Sequence, residues 1–216
     1  MKKIIITVLL AAFAAGFAFS QNGVIRDFTG SVELKQAGSS VFVPATVGAS
    51  VAPNTVISTG FRSTAVIVIG GSTVTVNPLT RLTLAEIQST ANTETINVNL
   101  QSGRVRVEVN PPAGARANFT LQTPSSTASV RGTVFEMNAD KVSVSEGKVM
   151  FSGSGKMAVI VTGGNSTRSN TNGVPSDPVE VAAASLAPNA PAVASSQTRR
   201  RIRSSEISVG LEPDWQ

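Results

Sequence analysis

The chain contains no histidine, no cysteine and no tyrosine. Without histidine it has no Ser-His-Asp or Cys-His nucleophile, and the commonest metal ligand is missing. Without cysteine there are no disulfides, thiolate zinc sites or iron–sulfur clusters, and no lipidated cysteine after a signal peptide. Charge is scarce, at 14% of residues, and aromatics make up 5%, nearly all of them phenylalanine. Carboxylate or lysine chemistry survives these absences, but the acids stand singly along alternating segments. A carboxylate hydrolase would need two acids converging on one cleft, about 5–9 Å apart. Gly163-Gly164-Asn165 leads to no lysine-bearing helix, so it reads as a loop and not a phosphate cradle. The sequence therefore predicts a non-catalytic protein without a cofactor or a metal.

No apolar run reaches the roughly 20 residues that a membrane-spanning helix needs. The longest, Ile4 to Phe19, has 16 residues and follows Lys2 and Lys3. Ala18-Phe19-Ser20 then places small residues at both positions before a cut at Gln21, the pattern of a secretory signal peptide. Residues 1–20 are thus read as a leader. The expected product crosses the inner membrane to a periplasmic or extracellular space and keeps no transmembrane helix. The net charge of +5 falls to +3 without Lys2 and Lys3, and Arg199, Arg200, Arg201 and Arg203 supply four of the remaining positive charges. The rest is near neutral and lacks a basic face interleaved with aromatics, which argues against a nucleic-acid partner.

What is present is valine, isoleucine and threonine in short alternating segments, the composition and period of half-buried strands. Examples are Ser31–Leu34, Val66–Ile69, Thr73–Val76, Asn97–Leu100, Arg104–Val109, Phe119–Leu121, Val142–Val144 and Lys148–Phe151. Gly70-Gly71 and Glu146-Gly147 are tight-turn candidates. A glycine recurs one or two residues before a hydrophobic strand, at Gly30, Gly103, Gly132 and Gly147, which suggests stacked strands each entered through a glycine corner. The simpler reading is that β-proteins use glycine in turns. The expected fold is all-β, many short strands forming a β-solenoid-like roll or a β-sandwich over residues 24–163.

Residues 164–187 are read as a polar loop and a short helix. Asp177 is its N-cap, Pro178 and Glu180 complete the start, and Val181–Leu186 form its body. Residues 188–216 form a Pro/Ala/Ser linker and a basic tail, in which Ile207–Leu211 could add one strand. The four arginines at 199, 200, 201 and 203 are candidates for contact with an anionic envelope surface.

Residues 123–137, TPSSTASVRGTVFEM, break a hydrophobic strand with Arg131-Gly132. Val130 and Phe135 are five apart, so a regular strand would put them on opposite faces. A bulge at Gly132 would return Phe135 and Met137 to Val130's side and make the glycine a backbone necessity. A strand with both faces covered is the other reading. Thr133 can hydrogen-bond across the distortion, and Arg131 is expected to be solvent-facing or locally paired.

Val130-Arg131-Gly132-Thr133-Val134-Phe135 resembles the Val-x-Gly-Thr-x-Phe hallmark of the periplasmic FecR domain. The flanks agree: Val56 to Ala65, Ile69 to Pro78, Leu100 to Val105 and Val144 to Val149 resemble other parts of the family pattern. Coverage runs from about residue 29 to 163. The family usually has Asp-Gly-Ser at its hairpin, and this chain has Gly70 at the aspartate position. The motif residues Val130, Gly132, Thr133 and Phe135 are structural. In the best-known members, the resemblance implies, such a domain receives a signal from an outer-membrane transporter and passes it to a cytoplasmic sigma-factor-binding segment. Three residues before the apolar run leave no length for that segment. The expectation is an exported, stand-alone module that binds, senses or scaffolds in the cell envelope, with an envelope protein or an anionic envelope surface as partner. The alternative is a structural or adhesive component that assembles through its β-surface.

Overall fold

The computed structural model describes residues 22–180 apart from 91, 112, 113 and 156. The predicted signal peptide, the Val181–Leu186 helix, the linker, the arginine cluster and the Ile207–Leu211 strand lie outside the described residues. The strands, in chain order, are β1 Gly23–Thr29, β2 Val32–Lys35, β3 Val43–Pro44, β4 Ser50–Val51, β5 Thr55–Thr59 and β6 Thr64–Ile69. They continue with β7 Ser72–Val76, β8 Arg81–Ser89, β9 Thr93–Ser102, β10 Arg104–Val109, β11 Arg116–Gln122 and β12 Ser126–Val130. The last six are β13 Thr133–Asn138, β14 Lys141–Glu146, β15 Lys148–Gly153, β16 Ala158–Thr162, β17 Asn165–Arg168 and β18 Val179–Glu180. There is no helix among the described residues.

The fold is all-β, as expected. One sheet runs β4-β1-β6-β7-β10-β13-β14-β17-β18, and the other β3-β2-β5-β8-β9-β11-β12-β15-β16. The chain advances along both sheets together and crosses repeatedly between them. Period-2 alternation turns one side of every long strand inward; in β10, Val105, Val107 and Val109 are buried between Arg104, Arg106 and Glu108. The buried residues of both sheets form one hydrophobic cluster. Phe119 of one sheet meets Phe135 of the other edge to face, with ring centroids 6.4 Å apart.

The registers place strand ends on two long edges. Crossings at Gly30-Ser31, Gly60–Ser63, Asn77–Thr80 and Gly103 share the first edge. Crossings at Arg131-Gly132, Gly147 and Gly163-Gly164 share the opposite one. The switch occurs at β11, which pairs parallel with β9, whereas the other described pairings are antiparallel. Parallel neighbours need a crossover, and here residues 103–115, with β10 in the opposite sheet, provide it.

The bulge predicted at Gly132 is not there. Val130 ends β12 in one sheet and Thr133 opens β13 in the other, so Arg131-Gly132 is a corner between sheets. Val130 and Phe135 both face the core because they approach it from opposite sides, and parity within one strand does not apply. The nearest irregularity is in β14, where Val134 faces Glu146 and Phe135 faces Val144. Nor is Gly132 a backbone necessity. Its φ lies outside the left-handed region, and an added Cβ would come no closer than 3.9 Å to Pro111. Glu146-Gly147 likewise turns between sheets and not within a hairpin. Residues 164–180 differ from the polar loop and helix start expected: β17 extends the first sheet, and Asp177-Pro178 leads into β18.

At the corners a small hydroxyl residue fills the space a glycine leaves. Gly103 (φ 92) lies against Thr80, whose Oγ1 donates to the Arg104 carbonyl at 3.1 Å and accepts the Arg104 N–H at 3.0 Å. Gly147 (φ 85) lies against Thr133, whose Oγ1 donates to the Lys148 carbonyl at 3.1 Å. Thr59 Oγ1 donates to the Asn77 carbonyl at 2.6 Å, and Ser63 Oγ accepts the Ser31 N–H at 2.8 Å. Each buried hydroxyl satisfies backbone groups that a corner would otherwise strand, at a net gain of about 1 kcal/mol per bond.

The hairpin between β6 and β7 shows a substitution in space. Gly70 (φ 51) has no side chain, and an added Cβ would fall on the Glu94 carboxylate from β9 of the opposite sheet. Glu94 Oε2 accepts the Gly71 N–H at 3.2 Å. Glu94 thus does from outside what a hairpin aspartate would do from within. Gly70→Asp alone is expected to lower stability by about 2 kcal/mol, as overpacking and like charge combine. Glu94→Ala in that background should restore most of it. A double-mutant cycle in urea reads this as a coupling above about 1 kcal/mol, and additive losses would contradict it.

Candidate binding surface on the outer face

The hallmark residues are placed as structure. Val130, Thr133 and Phe135 are buried, and Gly132 sits at the exposed corner with Arg131. Thr133 does use its hydroxyl, but toward the Lys148 carbonyl of the neighbouring crossing and not across a bulge at Gly132. Arg131 is exposed, as anticipated, but it is not isolated, because the corner delivers it to the rim of a shallow depression of about 630 Å³.

The floor of that depression is one row across four strands of the second sheet. Registers align Thr120 of β11 with Ser129 of β12, Ser129 with Met150 of β15, and Met150 with Ile160 of β16. Strand pleating points all four outward. Met150 and Ile160 are 54% and 65% exposed, which is unusual for large apolar side chains standing side by side. Lys148 and Arg131 rim the row at the edge where β16 ends. Neither forms an ion pair among the described residues. Across the molecule, the outer face of the first sheet pairs its charges: Arg104 with Glu136 at 3.3 Å, Arg106 with Glu108 at 3.4 Å, Arg168 with Asp140 at 3.3 Å. Such exposed pairs add little stability, but they leave that face electrically balanced. The depression is therefore a place where unpaired positive charge and exposed apolar surface coincide.

A second, polar depression of about 500 Å³ lies along Glu86, Asn97, Asn99, Thr120 and Gln122. There the Glu86 carboxylate accepts from the Gln88 and Asn97 side-chain amides, so it is held as a hydrogen-bond acceptor. Among the described residues no group of three His, Cys, Asp or Glu is placed to hold a metal ion, and no helix is long and apolar enough to cross a membrane.

The sequence marks the Gly-Thr irregularity and the exposure of Arg131, but as a bulge in one strand and not as a corner between sheets. Sequence reasoning missed the row, because Thr120, Ser129, Met150 and Ile160 come from four strands whose order only the registers reveal. The arginines at 199–203 lie outside the described residues, and the structure assigns them no place.

Residues 55–150 match the family model described as FecR protein. No curated protein matches the chain. Two crystal structures of a candidate anti-sigma factor from Parabacteroides distasonis ATCC 8503, at 1.65 Å and 2.50 Å resolution, are similar at 20% identity with a TM-score of 0.47. Each similarity covers 58% of this chain and 59% of that protein.

Proposed function

We propose, from the match of residues 55–150 to the FecR family model, that the chain is a non-catalytic binding, sensing or scaffolding module of the cell envelope, carried there by a signal peptide at residues 1–20. The observation that supports this reading most is the family match, which spans the central strands of both sheets. The surface is compatible with it: an amphipathic row rimmed by two free cations suits a partner that offers apolar and acidic groups together. The basic cluster Arg199, Arg200, Arg201 and Arg203 would add an electrostatic contact to an anionic envelope surface, weakened by salt over a Debye length of about 8 Å.

The test joins location to capture. The protein isolated from the extracytoplasmic fraction should begin at Gln21 by mass spectrometry and retain an envelope protein or anionic envelope fragments. Charge reversal at Arg131 and Lys148, or truncation after residue 187, should weaken that capture several-fold at low salt and leave the melting temperature nearly unchanged. Met1 retained on a cytoplasmic protein would overturn the reading.

Strand β16, an edge of the second sheet among the described residues, favours a second reading, a structural or adhesive component that assembles through its β-surface. Light scattering separates the two, since an open-ended assembly belongs to the second and a discrete monomer or dimer to the first.

A further inference from the structure

The left-handed backbone region sorts the turns of this protein by residue type. Among the described residues, glycine occupies it at nine positions and Asn54 at one more, as sterics favour. Two residues break the rule, Arg62 (φ 53) and Leu79 (φ 56). Both stand on one edge of the sandwich, in the crossings Gly60–Ser63 and Asn77–Thr80. The position after Pro78, with its positive φ, suits glycine or asparagine without strain, and leucine occupies it.

Neither strained turn gains a buried side chain in return. Leu79 is 63% exposed, and Phe61, beside Arg62, is 72% exposed. The Leu79 N–H donates to the Gly60 carbonyl at 3.2 Å, so the two turns are neighbours. Each is pinned by the residue that follows its tip: Ser63 Oγ accepts the Ser31 N–H at 2.8 Å, and the Thr80 N–H donates to Thr59 Oγ1 at 3.0 Å. A lone exposed hydrophobe is ordinary. Two on adjoining turns, held at a conformational cost, call for a use outside the fold.

The turns themselves carry charge of one sign. The Arg62 guanidinium lies over the Phe61 ring, 5.3 Å from its centroid, and Arg81 directly follows the second turn. Neither arginine forms an ion pair among the described residues. The crossings Gly30-Ser31, Gly60–Ser63, Asn77–Thr80 and Gly103 contain no acid. The acids closest in register stand on strands: Glu136, which pairs with Arg104 at 3.3 Å, and Glu33, two strands from Arg81 in the same row.

We propose that this edge docks on a phospholipid bilayer, with Phe61 and Leu79 entering the boundary between headgroups and acyl chains and Arg62 and Arg81 at the phosphates. A lipid surface asks for no matching shape. It stabilises apolar side chains buried at the interface and attracts cations close to anionic headgroups. Arg62, stacked on Phe61, keeps its stem along the ring while its charge stays at the polar level. Pinned turns lose little freedom on contact, which is what the strained backbone supplies. The Arg131–Lys148 depression lies at the opposite edge, so the two surfaces are separate.

The chain from Gln21 onward, mixed with vesicles of phosphatidylglycerol and phosphatidylcholine, should sediment with them. Phe61→Ser with Leu79→Asn should lower that partition about tenfold. Its melting temperature should stay level or rise, because asparagine suits the left-handed turn. The absence of cysteine allows single dye labels at Phe61→Cys and at Thr75→Cys, the latter on the outer face of the first sheet. On vesicles, an environment-sensitive dye at 61 should shift to the blue and the dye at 75 should not. A parent chain that does not sediment, a double variant that sediments equally, a dye at 61 that stays in water, or a double variant that melts well below the parent would overturn the proposal. Equal sedimentation would assign lipid binding to other charges of the chain, and early melting would make the two side chains part of the fold. Purified lipid is the only partner in this test, so its failure leaves location and envelope capture to their own experiment.

Discussion

Replacing Phe135 with alanine is expected to cost about 3–5 kcal/mol of stability. The ring has no solvent exposure and stands at the meeting of the two sheets, edge to face against Phe119 at an interplanar angle of 73°. Truncation removes its transfer free energy, opens a cavity between sheets that cannot close independently, and loses an aromatic pair worth about 0.5–1.5 kcal/mol. Aromatics are few in this chain, and Phe119, Phe135 and Phe151 are among its largest fully buried side chains. Arg131→Ala, four residues away, should change stability by no more than about 0.5 kcal/mol, because the side chain is exposed and pairs with no acid among the described residues. Urea melts of the two variants give the comparison. The opposite ranking would mean that the corner's charge, and not the core beneath it, holds the hallmark in place.

The strands were legible because their signal is local. In segments such as Arg104–Val109, alternation of valine with charged residues fixes both the strand and its buried face, and the structure follows it residue by residue. The all-β class and the glycine corners at Gly30, Gly103, Gly132 and Gly147 come from the same short-range information. The assignment of strands to sheets does not. Nothing within residues 126–138 distinguishes a bulge in one strand from a corner between two sheets, since both place Val130 and Phe135 in the core. The choice is made by partners far away in sequence: β12 pairs β11 and β15, and β13 pairs β10 and β14. The hydroxyl contacts of Thr59, Ser63 and Thr80 were hidden for the same reason, each joining corners that are distant in the chain. The polar stretch after Thr162 misled because its strands are short and carry Asn, Ser, Thr and Arg. Such sequences pair when a neighbouring edge, here β14, supplies the backbone partners.

The corner glycines give the second large effect, and it falls on a residue other than the hallmark's own. Gly147→Ala should destabilise the domain by on the order of 3 kcal/mol. Its φ of 85° already costs an L-residue about 1–2 kcal/mol. The added Cβ would also stand 2.6 Å from the Gly132 carbonyl oxygen and 2.9 Å from Thr133 Oγ1. Relief requires moving backbone at the corner that carries the Thr133–Lys148 hydrogen bond, so steric and hydrogen-bond losses add there. Gly132→Ala meets neither obstacle and should stay within about 0.5 kcal/mol of the parent. The two glycines are neighbours in space, so the pair isolates backbone conformation from location. Thermal melts that show equal losses, or a larger loss at Gly132, would mean that the corner depends on flexibility at Gly132 itself. A loss confined to Gly147 would show that the Val-x-Gly-Thr-x-Phe corner is held in shape by the next crossing, whose glycine leaves the room that Gly132 and Thr133 occupy.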